Sequence, residues 1–237
     1  MRTLVLAAFG VASTLSFTAP TRADDPGRID AYVTPYYNSS GPVVDIGEYS
    51  AGLASKSDAL FVGTIQKMKK EWKRLTFIEL YVGAIRLYDL GYRWEATYWF
   101  YAAQYSGRQF ALLADQKKLG GVGDPGFEFH HAQDAFFQLV GPDINGYAFG
   151  DIDALVKIIR RVQRESRNVP EMQAIYPNVE FAGKGGWQQI NAGLSSGLGS
   201  LATSLERQKA QIARERAQNG TAQRFSRLTN EHFPGGY

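Results

Sequence analysis

The chain has no cysteine, and only three histidines and three methionines among its 237 residues. Without cysteine no disulfide framework is available, so burial of apolar surface has to hold the fold by itself. No thiol is present to carry a lipid. Metal chemistry has few ligands to draw on. His130 and His131 are adjacent, so on a helix they point to different faces and converge poorly on one ion. There is no H-E-x-x-H motif. Beyond the first 23 residues no apolar run approaches the roughly 18 residues that a membrane span requires.

The first stretch reads as a targeting segment. Arg2 opens a short basic region, Leu4–Phe17 is apolar, and Thr21-Arg22-Ala23 fits a small-x-small cleavage site. A secretory signal peptide over residues 1–23, cleaved after Ala23, is therefore expected, with a periplasmic or secreted product. Loss of Arg2 and Arg22 would lower the formal charge from +3 to +1. The basic balance thus belongs partly to the leader and gives no ground for a nucleic-acid partner.

Two glycine-rich strings are excluded as chemistry by their context. Gly120–Gly126 is followed by no Gly-Lys-Ser/Thr and preceded by no strand, so it is neither a phosphate-binding nor a dinucleotide loop. Gly193-Leu194-Ser195-Ser196-Gly197 spells G-x-S-x-G. A nucleophile elbow needs a strand entering a tight turn, whereas here a polar loop leads into a helical pattern. Glu79, Asp89, Glu95, Asp134 and Asp151 are carboxylates that a glycan hydrolase could pair, but no spacing brings two of them together.

What the chain has is helical periodicity. Residues 24–55 form an extended, proline-punctuated lead-in with a short strand around Val43–Ile46. Residues 56–218 read as a single helical domain, and residues 219–237 as a flexible tail. Ser57 is the expected N-cap of a helix over 58–73 that carries Leu60, Phe61, Ile65, Met68 and Trp72 on one face. Its end is basic, with Lys67, Lys69, Lys70, Lys73 and Arg74, as suits the negative end of a helix dipole. Helices over 77–90 and 94–118 follow, separated by Gly91. Further helices are expected over 133–140, 152–164 (capped by Asp151) and 187–218, with a loop at 141–151 and irregular chain over 167–186. The last helix repeats Trp187, Leu194, Leu198, Leu201, Leu205 and Ile212 at heptad spacing, so a homodimer through residues 187–212 is one expectation. Its end, after Gln208, is polar enough to project from the body.

Gly91–Phe110 is the densest stretch: Ala96, Trp99, Phe100, Ala103 and Phe110 lie on one stripe and Tyr98, Tyr101 and Tyr105 on another. A helix apolar on most of its circumference is enclosed by others, which places it at the centre. With Gly91 at the turn, Ala84, Leu87, Glu95-Ala96, Phe100 and Ala103 resemble the core positions of one tetratricopeptide repeat. Arg93 stands where that repeat has an aromatic, Arg108 where it has its terminal proline, and no second copy lies about 34 residues away. The resemblance implies one repeat-like antiparallel hairpin inside an all-α globular fold. More broadly, the chain resembles small proteobacterial envelope proteins, some of which act as immunity partners of secreted toxins.

The expected function is non-catalytic binding of another macromolecule, a protein, in the cell envelope, without cofactor or metal. A cell-wall hydrolase and a dimeric envelope scaffold are the alternatives. Arg93, Trp94, Glu95, Gln104 and Arg108, the polar and amphipathic points of the central helix, are the candidate binding residues.

Overall fold

The computed structural model describes residues 25–235 except residue 42; the expected leader over residues 1–23 lies outside these. The lead-in folds into a three-stranded antiparallel sheet of two-residue strands, β1 (Tyr32–Val33), β2 (Tyr37–Asn38) and β3 (Val43–Val44). Helices make up the rest: α1 (Ser50–Ala54), α2 (Asp58–Lys70), α3 (Phe77–Asp89), α4 (Arg93–Leu113), α5 (Pro125–Ala148), α6 (Ile152–Glu165), α7 (Met172–Ile175), α8 (Trp187–Gln218) and α9 (Thr221–Phe225). The fold is all-α, with a long C-terminal helix.

Local chemistry sets the helix ends. Thr76 and Glu79 form a reciprocal capping box at the start of α3. Asp151 caps α6 by accepting the Ala154 N–H at 3.0 Å. Gly91, at φ +90°, ends α3. There Tyr92 N–H donates to Leu87 O and Gly91 N–H to Tyr88 O, the double bond pattern of a Schellman turn. Two residues later α4 begins and runs back along α3, since Phe77 meets Phe110 while Gly83 meets Trp99. A Cβ at residue 83 would lie 2.6 Å from the Trp99 ring, so only glycine allows this approach. The same logic holds at Gly107, whose missing side chain leaves room for the Gln133 amide of α5.

As the sequence leads one to expect, α4 is the hub: it packs on α3, α5, α6 and α8. Trp99, Phe100, Ala103 and Phe110 are fully buried along it. Below it, Phe77, Phe110, Phe129, Tyr176 and Phe181 form one aromatic cluster with ring centroids 4.9–6.1 Å apart. Tyr176 also accepts the orphan N–H of Phe77 through its hydroxyl, at 3.1 Å.

Four expectations need correction. First, α4 stops at Leu113, short of Lys118, because Ala114 turns extended and bridges to Phe181. Second, α5 starts at Pro125, ahead of the expected 133, and continues to Ala148, across most of the expected loop at 141–151. Gly141 lies against Phe100, and Pro142 is exposed, so its missing N–H leaves no buried carbonyl without water. Third, the end of α8 does not project: Arg216 is buried and donates to Gly146 O at 2.6 Å. Fourth, the tail is docked. Phe225 and Phe233 are buried, and Gly146 is the seat of the Phe225 ring. Leu194, Leu198, Leu201 and Leu205, which carry the heptad pattern, are buried within this one chain, chiefly beside α6.

A buried polar clamp fixes α8 on α4. Asn191 Oδ1 accepts from Tyr105 Oη and Gln109 Nε2, each at 2.7 Å, while its Nδ2 donates to Ser166 O and Arg167 O at 3.1 and 2.8 Å. Replacing Asn191 by Leu removes the bonds to Gln109 Nε2, Ser166 O and Arg167 O and leaves Tyr105 Oη only the backbone carbonyl of residue 191, at 3.2 Å, so destabilisation of about 2–4 kcal/mol is expected. It should appear as a lower urea midpoint at unchanged slope; an unchanged midpoint would refute the clamp.

Asp89 anchors the lead-in, accepting Ile29 N–H at 2.8 Å and Arg86 Nη1 at 3.1 Å. Burial outweighs those bonds and pushes its carboxyl from 3.8 up to about 6. Between these values the folded chain keeps a proton that the unfolded chain has lost. Its contribution is therefore complete below the unfolded value and is lost as pH rises through about 6. Compared with wild type, Asp89→Asn should lose a stability decrease on the order of 2–3 kcal/mol between about pH 4 and 6. Parallel denaturation series across that range would show it, and identical slopes for the two proteins would count against it.

Candidate functional site

The five candidate residues on α4 do not form one site. Arg93 is buried, and its guanidinium donates to Thr229 O and lies 5.4 Å from the Tyr88 ring centroid. Trp94 donates its backbone N–H to Asn230 Oδ1 at 2.8 Å and leans its indole on Tyr147. Both therefore hold the C-terminal strap, which Glu231 N–H bonding to Gly91 O and Phe233 packing edge-on against Tyr92 complete. Gln104 is buried in the hub. Arg108, far along the helix, lies 6.0 Å from the Phe137 ring centroid, and burial lowers its pKa. Glu95 faces another way: its Oε1 accepts Trp99 Nε1 at 2.8 Å and pairs with Lys69 Nζ at 2.8 Å.

Lys69 leads to a cleft of about 660 Å³. One wall is the end of α2 and the 3-10 turn Trp72–Arg74, the floor is Tyr98 and Ala102 of α4, and the far wall is the end of α6 at Val162, Glu165 and Ser166. The Trp72 indole stacks on Tyr98, with centroids 5.4 Å apart and planes 24° off parallel, and meets Trp99 edge-on at 5.0 Å. Tyr98 Oη donates to Glu165 Oε2 at 2.5 Å, and Arg161 covers the Tyr98 ring at 4.2 Å while its Nε donates to Glu165 Oε1 at 2.9 Å. On the opposite wall Glu71 accepts from Tyr49 Oη at 2.5 Å, and burial, aided by that carboxylate, pushes the Tyr49 hydroxyl up.

The rim is cationic. Lys70, Lys73 and Arg74 are exposed and, among the described residues, make no ion pair. Their position also complements the C-terminal carbonyls of α2, as the sequence suggests. What the sequence does not show is that the fold brings an indole–phenol stack into the same cleft. Trp72 reads as one more apolar position of α2, and its partners lie on α4, beyond the range of any local pattern.

The remaining chemistry is dispersed. Glu79 caps α3, Asp89 holds the lead-in, Glu95 holds Lys69 and Asp151 caps α6, so these four carboxylates serve separate local bonds. Ser195 lies within α8, where its carbonyl accepts from Gln163. His131 is exposed against Phe127, and His130 is half-buried. Among the described residues no group of three or more His, Asp or Glu is placed to hold a metal ion, and no helix is long and apolar enough to cross a membrane. Compared with protein-family models, curated proteins and solved structures, the chain matches none.

Arg93 therefore serves the fold. Arg93→Ala should cost about 1–3 kcal/mol. Amide hydrogen exchange in residues 226–235 should accelerate at least about tenfold while α3 keeps its protection. Unchanged exchange in the strap would show that Arg93 does not hold it.

Proposed function

We propose that this chain is an exported, non-catalytic binding protein of the cell envelope that recognises another protein through the cleft between α2, α4 and α6. One observation carries the reading. Trp72, half-buried and stacked on Tyr98, lines the same cleft as the three exposed cations Lys70, Lys73 and Arg74, which have no ion-pair partner among the described residues. Trp, Tyr and Arg are the residue types most enriched where binding energy concentrates. Exposed cations beside them favour fast, oriented encounter with a partner of opposite charge. Capture of a secreted toxin would be one instance of such a role.

A hydrolase draws less support. The acid–base pair it needs would have to come from Glu71 and Glu165, the carboxylates of the cleft. Each accepts a tyrosine hydroxyl at 2.5 Å, and Glu165 is also ion-paired with Arg161. A dimer through residues 187–212 would need the leucines that are already buried inside the chain.

The wild-type protein, used as bait on an envelope fraction, should retain a partner protein that the triple variant Lys70→Glu, Lys73→Glu, Arg74→Glu loses. Equal capture by wild type and the triple variant would remove the cleft from the function. Turnover of a cell-wall glycan that Glu165→Gln abolishes would establish the hydrolase instead.

A further inference from the structure

We infer that the ligand of the cleft is an acidic polypeptide segment, an extended stretch with several carboxylates and one aromatic or aliphatic side chain to set against Trp72. This rests on the cleft being the recognition site. The cations at positions 70, 73 and 74, which have no ion-pair partner among the described residues, are spread along the rim and are exposed. They do not converge on one buried point. A site for a single phosphate or carboxylate would present a buried fork or a nest of backbone N–H groups. Cations on long stems at a rim suit charge distributed along a chain.

Three features favour a peptide over a nucleic acid or a sulfated glycan. The walls carry Glu71 and Glu165 as well as the cations. A phosphodiester or sulfate run, negative at every repeat, would have to pass both carboxylates. A peptide can turn a backbone N–H to Glu165 and a carboxylate to Lys73. Single-strand binders offer a series of aromatic platforms for successive bases, whereas the cleft presents the Trp72–Tyr98 stack alone. The whole chain carries a formal charge of only +3, so its overall field gives little steering toward a polyanion.

The middle of the cleft is a place where one apolar side chain can be desolvated. Trp72 and Tyr98 form its aromatic surface, and Ala102 and Val162 give it small, apolar neighbours. Charge at the rim and an aromatic anchor at the centre together describe a peptide with an acid-rich sequence interrupted by one hydrophobic residue.

A fluorescein-labelled peptide that alternates glutamate with neutral residues around one central phenylalanine tests this against the full-length protein by anisotropy. Single-stranded oligothymidylate and a heparin oligosaccharide serve as the other arms. The peptide should bind at low salt, weaken steadily toward about 0.3 M salt, and shift the indole emission. That emission shift should vanish in Trp72→Phe, which keeps a ring against Trp99. The neutral triple variant Lys70→Gln, Lys73→Gln, Arg74→Gln alters exposed side chains alone and should keep its circular dichroism. It should bind the peptide at least about tenfold more weakly. No binding by wild type, equal binding by the triple variant, or tighter binding of oligothymidylate or heparin overturns the inference. If the envelope capture still depends on the rim cations while the peptide fails to bind, the ligand class is wrong and the site stands. If both fail, the cleft is not a recognition site.

Discussion

The contact on which this structure most depends is the Trp99 ring lying across Gly83. The indole atoms sit where a Cβ on residue 83 would be, so α3 and α4 come within a distance that any other residue would forbid. From that approach follows the burial of Trp99, Phe100 and Tyr81 in one layer. Tyr81 in turn stacks on Phe136 of α5, with centroids 5.2 Å apart and planes 7° off parallel. A chain without disulfides has to gain its stability from such burial, and aromatic side chains deliver the most buried area per residue. Small residues at 83, 96, 103 and 107 keep the backbones close enough for those rings to interlock.

A hub rich in tyrosine carries a cost, since each buried hydroxyl needs a partner. At four of these tyrosines the fold meets it by using the hydroxyl to tie a distant segment to α3 or α4. Tyr88 reaches Pro26 O in the lead-in, Tyr101 reaches Asn145 on α5, Tyr105 reaches Asn191 on α8, and Tyr98 reaches Glu165 on α6. Each bond is modest by itself. Together they specify which face of each surrounding helix meets the hub, a choice that apolar contact alone would leave loosely defined. The cleft depends on the last of them. The Tyr98–Glu165 bond fixes the end of α6 opposite Trp72, and the cleft is the gap left between.

The amphipathic helices α2, α3, α6 and α8 and the enclosure of α4 were legible because their residues carry the period of the structure within one local window. The errors share a cause. Gly141-Pro142 and Asn145-Gly146 carry turn chemistry, yet they lie inside the last third of α5. Gly146 is there to seat Phe225, nearly eighty residues away, while Gly141 lies at ordinary contact distance from Phe100. The same distance hides the tail, where Phe225 and Phe233 are isolated rings in a polar stretch and are buried by partners on α5 and by Tyr92. Arg93 and Trp94 have the composition of a binding hot spot and serve as anchors for that tail. Residue type marks a place where something is bound, and the chain's own C-terminus satisfies the description as well as a foreign partner would.

The cleft shows the converse. Its cations sit at the end of α2, where a helix dipole accounts for them fully, so sequence gives no reason to ask more. The two roles are compatible, because a cation that stabilises a helix terminus remains available to a ligand when no carboxylate of the same chain has claimed it. Lys69 marks the boundary. It belongs to the same basic run, but Glu95 pairs with it and Phe233 lies 4.6 Å from its ammonium, so it is committed to the fold. One helical turn further along, Lys73 and Arg74 have no such claim on them among the described residues. The fold has therefore divided one charge run into a structural part, tied through Glu95 to the hub and through Phe233 to the strap, and an outward part. Since Glu95 also holds the Trp99 indole, the contact that closes α3 on α4 and the wall of the cleft are connected through a single carboxylate oxygen.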